Sequence, residues 1–398
     1  MSNFDKIVER RGTGSEKWDF LSRTFGSDDL IPMWIADMDF QSPKPVIDAI
    51  IKRAEHGIFG YTDLTEEYYE TVVNWFERRY KWSIKREWIV YTPGVTPAIS
   101  TAIATFTNPG DKIIVQPPVY YSLFRSVESN GRRILANPLV LHDKRYEMNF
   151  RDLEEKAKDP RARMIILCNP HNPVGRVWRK EELERLGEIA IENNLIVVSD
   201  EIHSDIRYPG ISFKNFASIS EELADISITC TSPSKTFNLA GIKASNIIVP
   251  NRKMREMFRS SLEAMGISKP NVFAEEAVKA AYREGEGWLN DMLNYLKGNL
   301  DFLKRFVEEN MPEVEVIEPE GTYLVWMDFR KVESDLKKLE RLMRDIAKVA
   351  LDEGYIFGSG GEGFERINIA CPRSMLERAL VQIADAVKRY KEGLVRFA

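Results

Sequence analysis

Short, nearly unbroken apolar runs alternate with segments of helical period through the middle of this chain. Trp88 to Thr92, Lys112 to Gln116, Met164 to Cys168, Leu195 to Ser199, Ile226 to Thr231 and Asn246 to Val249 have strand length and little polar alternation. Strands of that kind are buried on both faces, which predicts a mostly parallel sheet covered by helices. The helical period covers Pro43 to His56, Glu66 to Tyr80, Ile99 to Phe106 and Lys180 to Asn194, the last with Leu183, Leu186, Ile189 and Ala190 as its apolar stripe. Beyond Asn271 the pattern turns helical, breaks at Gly285-Glu286-Gly287 and resumes from Trp288 to Glu309. Glu315 to Ile317, Thr322 to Met327 and Arg366 to Ala370 then read as strands, and Ser334 to Glu353 as helix. The first thirty residues are polar and turn-rich, an arm. Gly358 to Gly363 reads as a mobile rim.

The length of 398 residues suits two domains around a substantial core. We place an N-terminal arm and part of a small domain at 1–44, a large domain at 45–285 and the rest of the small domain at 286–398. With 43% hydrophobic and 29% charged residues, a soluble globular protein is expected. A net charge of −5 argues against a nucleic-acid or anionic-membrane surface. Three cysteines without paired spacing exclude a disulfide framework or zinc ribbon, and no metal site is expected. The N-terminus lacks the apolar core of a secretory signal, and no apolar run spans a membrane, so the chain is expected in the cytoplasm.

Functional groups in open α/β sheets gather at the carboxyl ends of strands. Asn172, Asp200 and Lys235 all fall at such ends. Lys235 is wedged between two buried-looking strands, beside the hydroxyls of Ser232 and Ser234. A desolvated lysine has a lowered pKa, and its neutral amine forms Schiff bases with carbonyls. The plainer alternatives are a solvated loop lysine and, for Asp200, a helix cap. Pro93-Gly94-Val95-Thr96 joins a strand to a helix start, where free N–H groups and the helix dipole suit an anion. Asp37 and Asp39, in Pro32 to Phe40, read as caps for the next helix.

The segment Ser232-Pro233-Ser234-Lys235-Thr236-Phe237-Asn238 resembles the pyridoxal-phosphate lysine segment of fold-type I aminotransferases. The resemblance is strongest to their cystathionine β-lyase-like C–S lyases, the MalY/PatB group, and runs from Met33 to Arg373. It implies a fold-type I α/β architecture, with a seven-stranded-type sheet in the large domain and a smaller α/β domain. The cofactor implied is pyridoxal 5′-phosphate, bound through Lys235. Val95 and Thr96 would offer amides to its phosphate, and Tyr61 would reach it from the neighbouring subunit of a homodimer. Tyr120 would cover the ring, with Tyr121 as the other candidate. Asn172 would donate to the phenolic oxygen, and Asp200 would hold the ring nitrogen protonated. Ser232 would help hold the phosphate. Lys243 stands where many aminotransferases have a phosphate-binding arginine, and supplies a point charge without the bidentate fork. Arg366 would pair with the α-carboxylate of an amino-acid substrate. His171 is expected to pack, and the role of His203 is left open.

The resemblance implies cleavage of cystathionine or cysteine S-conjugates to a thiol, pyruvate and ammonia. An aminotransferase would use the same residues and is the rival reading, although only Arg373 offers itself as a second carboxylate-binding arginine. A third reading is a regulatory protein built on the same fold.

Overall fold

A computed structural model describes residues 3–397. In chain order the strands of the main sheet are β1 (Ile89–Thr92), β2 (Lys112–Val115), β3 (Arg133–Ala136), β4 (Ala162–Cys168), β5 (Ile196–Asp200), β6 (Ser227–Thr231) and β7 (Ser245–Ile248). Their order in space is β1-β7-β6-β5-β4-β2-β3. All neighbours are parallel except β7, which runs antiparallel to β1 and β6. Every residue of β6 is buried, as is all of β4 except Arg163. This explains their lack of alternation, since helices cover both faces.

The helices that matter for the site are α1 (Lys44–Glu55), α2 (Glu66–Tyr80), α3 (Val95–Phe106), α4 (Lys180–Glu192), α5 (Glu286–Asn310) and α6 (Arg373–Lys391). The predicted stripe of α4 is buried against the sheet. Each of its large apolar side chains contributes about 1.5–3 kcal/mol on full burial. A second, antiparallel sheet combines β8 (Glu315–Ile317), β9 (Leu324–Asp328), β10 (Asp352–Glu353) and β11 (Phe364–Asn368), in the order β8-β9-β11-β10.

Four expectations are corrected. Ser334 to Glu353 is not one helix. Helical geometry ends at Ile346, and Lys348 takes a left-handed φ of +55°. The next three residues, Val349 to Leu351, are buried, and Val349–Ala350 pairs in parallel with Ile31–Pro32. Asp37 and Asp39 do not cap α1, whose N-cap is Pro43, with no side-chain cap. The N-terminal arm is not a plain polar tail. Glu16–Asp19 and Leu21–Phe25 are helical, and Lys17 is fully buried on Asp39 at 2.6 Å. Finally, Gly358 and Gly361 within the predicted mobile rim are hemmed in, while Ser359, Gly360 and Glu362 between them and beside them are exposed. A Cβ on Gly358 would lie 2.8 Å from Phe124 and one on Gly361 2.0 Å from the Gly354 carbonyl, so close backbone approach requires these glycines.

Candidate active site

The three central strands end level. Cys168 of β4, Asp200 of β5 and Cys230 of β6 are register partners, which sets the loops that follow side by side. Between those loops and the second sheet lies a cavity of about 260 Å³. Val95, Thr96, Tyr120, Asn172, Asp200, Ser232, Lys235, Lys243 and Arg366 all line it. Tyr61 does not: it is fully exposed on the loop before α2.

Lys235 sits in a single helical turn, Pro233–Thr236, directly after β6. The turn is pinned on both sides. Thr236 Oγ1 donates to Asp205 at 3.0 Å, and Asn238 Nδ2 donates to the carbonyls of Met38 and Phe40. Lys235 Nζ donates to the Ala36 carbonyl at 2.6 Å. Burial pushes its amine down to about 8, opposed by the charges of Asp37 and Asp200 and assisted by Arg366 and Lys243. A reactive amine near neutrality follows. Asp200 ends β5 and accepts from the Ile202 N–H at 3.2 Å. Burial raises its carboxyl to about 6, against the pull of the Ile202 amide and Lys235. A cation brought to this carboxylate would be favoured by the same burial.

Asn172 lies in a loop held from several directions. His171 Nε2 is 3.0 Å from the Pro118 carbonyl, and its ring packs edge-on to Trp178, so it packs as expected. Burial lowers the His171 imidazole to about 4, leaving it neutral. Asn172 Oδ1 accepts from Arg366 Nη1 at 2.9 Å. Arginine only donates, so the amide oxygen is committed and the NH₂ is what a ligand would meet. Tyr120 and Tyr121 both line the cavity, their rings 5.0 Å apart.

The residues fit pyridoxal phosphate. α3 begins at Val95 after Gly94, whose φ is +143°, with no side-chain cap, so its first turn, which lines the cavity, has N–H groups that lack intrahelical partners. Lys243 lines the same cavity. The Ser232 hydroxyl donates to the Ala244 carbonyl at 2.7 Å and accepts from the Ser234 N–H, and Ser234 joins it in the lining. His203 is buried in the lining with Nδ1 unpartnered, and burial holds its imidazole well below the usual range. An unpaired neutral imidazole nitrogen there suits a polar atom on a bound group.

Three features escaped sequence reasoning. Ala36 supplies a carbonyl to both Lys235 and the Tyr323 hydroxyl. Trp34 supplies one to Arg366 Nη2 at 3.2 Å. Asp352, in β10, pairs with the same Nη2. Arg373, by contrast, is outside the cavity lining: its Nε donates to Asn299 at 2.8 Å.

The family model for class I and II aminotransferases matches residues 28–383. Cystathionine beta-lyase PatB of Bacillus subtilis is 44% identical over 98% of this chain and all of that protein. Cystalysin of Treponema denticola, whose crystal structure contains pyridoxal 5′-phosphate, superposes with a TM-score of 0.95 at 40% identity, covering 98% of this chain and all of that one. The pyridoxal-phosphate-bound C–S lyase of Staphylococcus hominis gives a TM-score of 0.91 at 34% identity, covering 97% of this chain and 98% of that one. A sheet whose level strand ends bring lysine, aspartate and asparagine to one cavity, and a likeness that runs the length of the chain, lead to one assignment: this chain belongs to the class I and II aminotransferase family of fold-type I pyridoxal-phosphate enzymes.

Proposed function

We propose that this chain is a pyridoxal-phosphate-dependent C–S β-lyase that converts cystathionine or a cysteine S-conjugate, with water, to a thiol, pyruvate and ammonium. The observation that carries this reading is the convergence of Lys235, Asp200, Asn172 and Arg366 on one cavity, in a chain similar over its length to lyases.

Bound here, pyridoxal phosphate supplies an electron sink for the pair left on the substrate's Cα. Everything else is positioning and proton transfer by the chain. Arg366 binds the substrate carboxylate, with Asn172 orienting the guanidinium. Lys235 Nζ, which here donates to the Ala36 carbonyl, would hold the cofactor, and its lowered pKa suits it to take the Cα proton of the bound amino acid. Asp200 would hold a proton at the ring nitrogen. The α3 N-terminus, Lys243 and the serines around Lys235 would hold the phosphate. The Cβ–S bond then breaks, the sulfur leaving with the bonding pair.

The aminotransferase reading needs a second keto-acid substrate. Among the described residues the cations in the cavity lining are Lys235, Lys243 and Arg366, with no second arginine for a dicarboxylate. We further read the chain as a cytoplasmic homodimer with shared sites, Tyr61 reaching the partner's phosphate. We keep the division into 1–44, 45–285 and 286–398. The full exposure of Tyr61 and the pairing of Ile31–Pro32 with Val349–Ala350 support these readings.

The test is one assay of two reactions. Cystathionine or a cysteine S-conjugate alone should give pyruvate over many turnovers, while alanine with 2-oxoglutarate should react far more slowly. Fast transamination without pyruvate from S-conjugates would overturn the lyase reading.

A further inference from the structure

Arg366 is almost wholly buried, and its hydrogens can be counted. A guanidinium presents two side-by-side N–H pairs to a carboxylate, Nη1 with Nη2 and Nε with Nη2. Each pair needs one hydrogen from Nη2. Here Nη2 donates to both the Trp34 carbonyl, at 3.2 Å, and Asp352 Oδ2. Nη1 gives one hydrogen to Asn172, and Nε is buried with no partner. Neither side-by-side pair is open.

We propose that Asp352 is a resident carboxylate that the substrate's carboxylate must displace from Arg366, and that it thereby sets the affinity of the site for carboxylate ligands. The inference rests on Arg366 being the carboxylate site. Of the two acceptors on Nη2, Asp352 is the one that can yield. The Trp34 carbonyl belongs to a wall fixed by Trp34 Nε1 on the Lys17 carbonyl and by Asn368 on Ile35 and Asp37. Asp352 is a side chain on a two-residue edge strand. Two carboxylates on one buried guanidinium leave Asp352 without its cation in a dry site, a cost met by taking up a proton, so the exchange opposes tight binding. When product leaves, Asp352 returns and no bare buried cation remains. Asp352 is therefore a positioning residue that favours release. Burial and Arg366 act on the Asp352 carboxyl, and its charge is felt in turn by the facing Tyr120, Tyr121, Glu353 and Glu365.

The experiment uses holoenzyme and propionate, a carboxylate without an amine. In calorimetric titration, Asp352→Asn should bind propionate about tenfold tighter than wild type, because the competing charge is gone. The same variant should lower KM for an S-conjugate without raising kcat. A purely structural role for Asp352 predicts weaker binding. Arg366→Ala should lose propionate binding. If it binds propionate like wild type, the carboxylate-site reading itself fails. If Arg366→Ala loses binding while Asp352→Asn binds no tighter, the exchange is overturned. Should Asp352→Asn fail to fold, wild type decides. Binding in buffers of different ionisation enthalpy should show proton uptake as displaced Asp352 loses its cation, and absence of uptake would overturn the proposal.

Discussion

The Lys235 amine should titrate near pH 8, and this can be measured without cofactor. Burial lowers it from an ordinary lysine value of 10.5 to about 8, and the Asp37 charge is the largest influence in the opposite direction. At pH 7 an ordinary lysine is neutral in about one molecule in three thousand. With a value of about 8 the share is roughly one in ten, some 300-fold more. The measurement is competitive acetylation of the apoenzyme with trace acetic anhydride across pH, reading the Lys235 peptide by mass spectrometry against the surface lysines. Labelling of Lys235 should rise through about pH 8 and level off while the surface lysines are still climbing. Asp37→Asn removes the largest charge that favours the ammonium, so the midpoint should move to lower pH. A Lys235 midpoint with the surface lysines near 10.5, or an Asp37→Asn midpoint shifted upward, would refute the account of why this amine is reactive.

Two further outcomes follow from the walls of the site. Lys17→Met should lower the midpoint of denaturant unfolding by an amount equivalent to about 2–4 kcal/mol, since Asp39 keeps Arg10 and Trp18 but loses its fully buried partner; adding Asp39→Asn should recover part of the loss. Gly175→Ala should cost about 2–3 kcal/mol in thermal unfolding and raise the KM for substrate, because φ is +73° and a Cβ would stand 2.5 Å from Pro319 beside the Asn172 loop.

The parts of the site that could be read from the chain are those fixed by sheet topology. A continuous apolar run followed at once by Asp200, by the Asn169–Gly175 loop or by Ser232–Lys235 announces a strand end, and parallel strands in level register bring such ends together. The helix start at Val95 was legible for the same reason, through Gly94. The opposite wall is built by other means. Ala36 and Trp34 meet Lys235 and Arg366 from far away in the chain through backbone carbonyls, on a segment tied down by the buried Lys17–Asp39 pair, and a carbonyl has no residue type to betray it. Asp352 was hidden by a period that continued as if helical through Lys348, where one left-handed residue turned the chain into an edge strand beside Arg366. The two halves differ in what selects them. Strand-end residues are placed by local pattern and could be named from it. The carboxylate on Arg366 is placed by the pairing of two strands, β10 and β11, whose register no local pattern carries. Changes to that register, more than to the strand-end residues, are where relatives with the same lysine, aspartate and asparagine can diverge in how tightly they hold a substrate carboxylate.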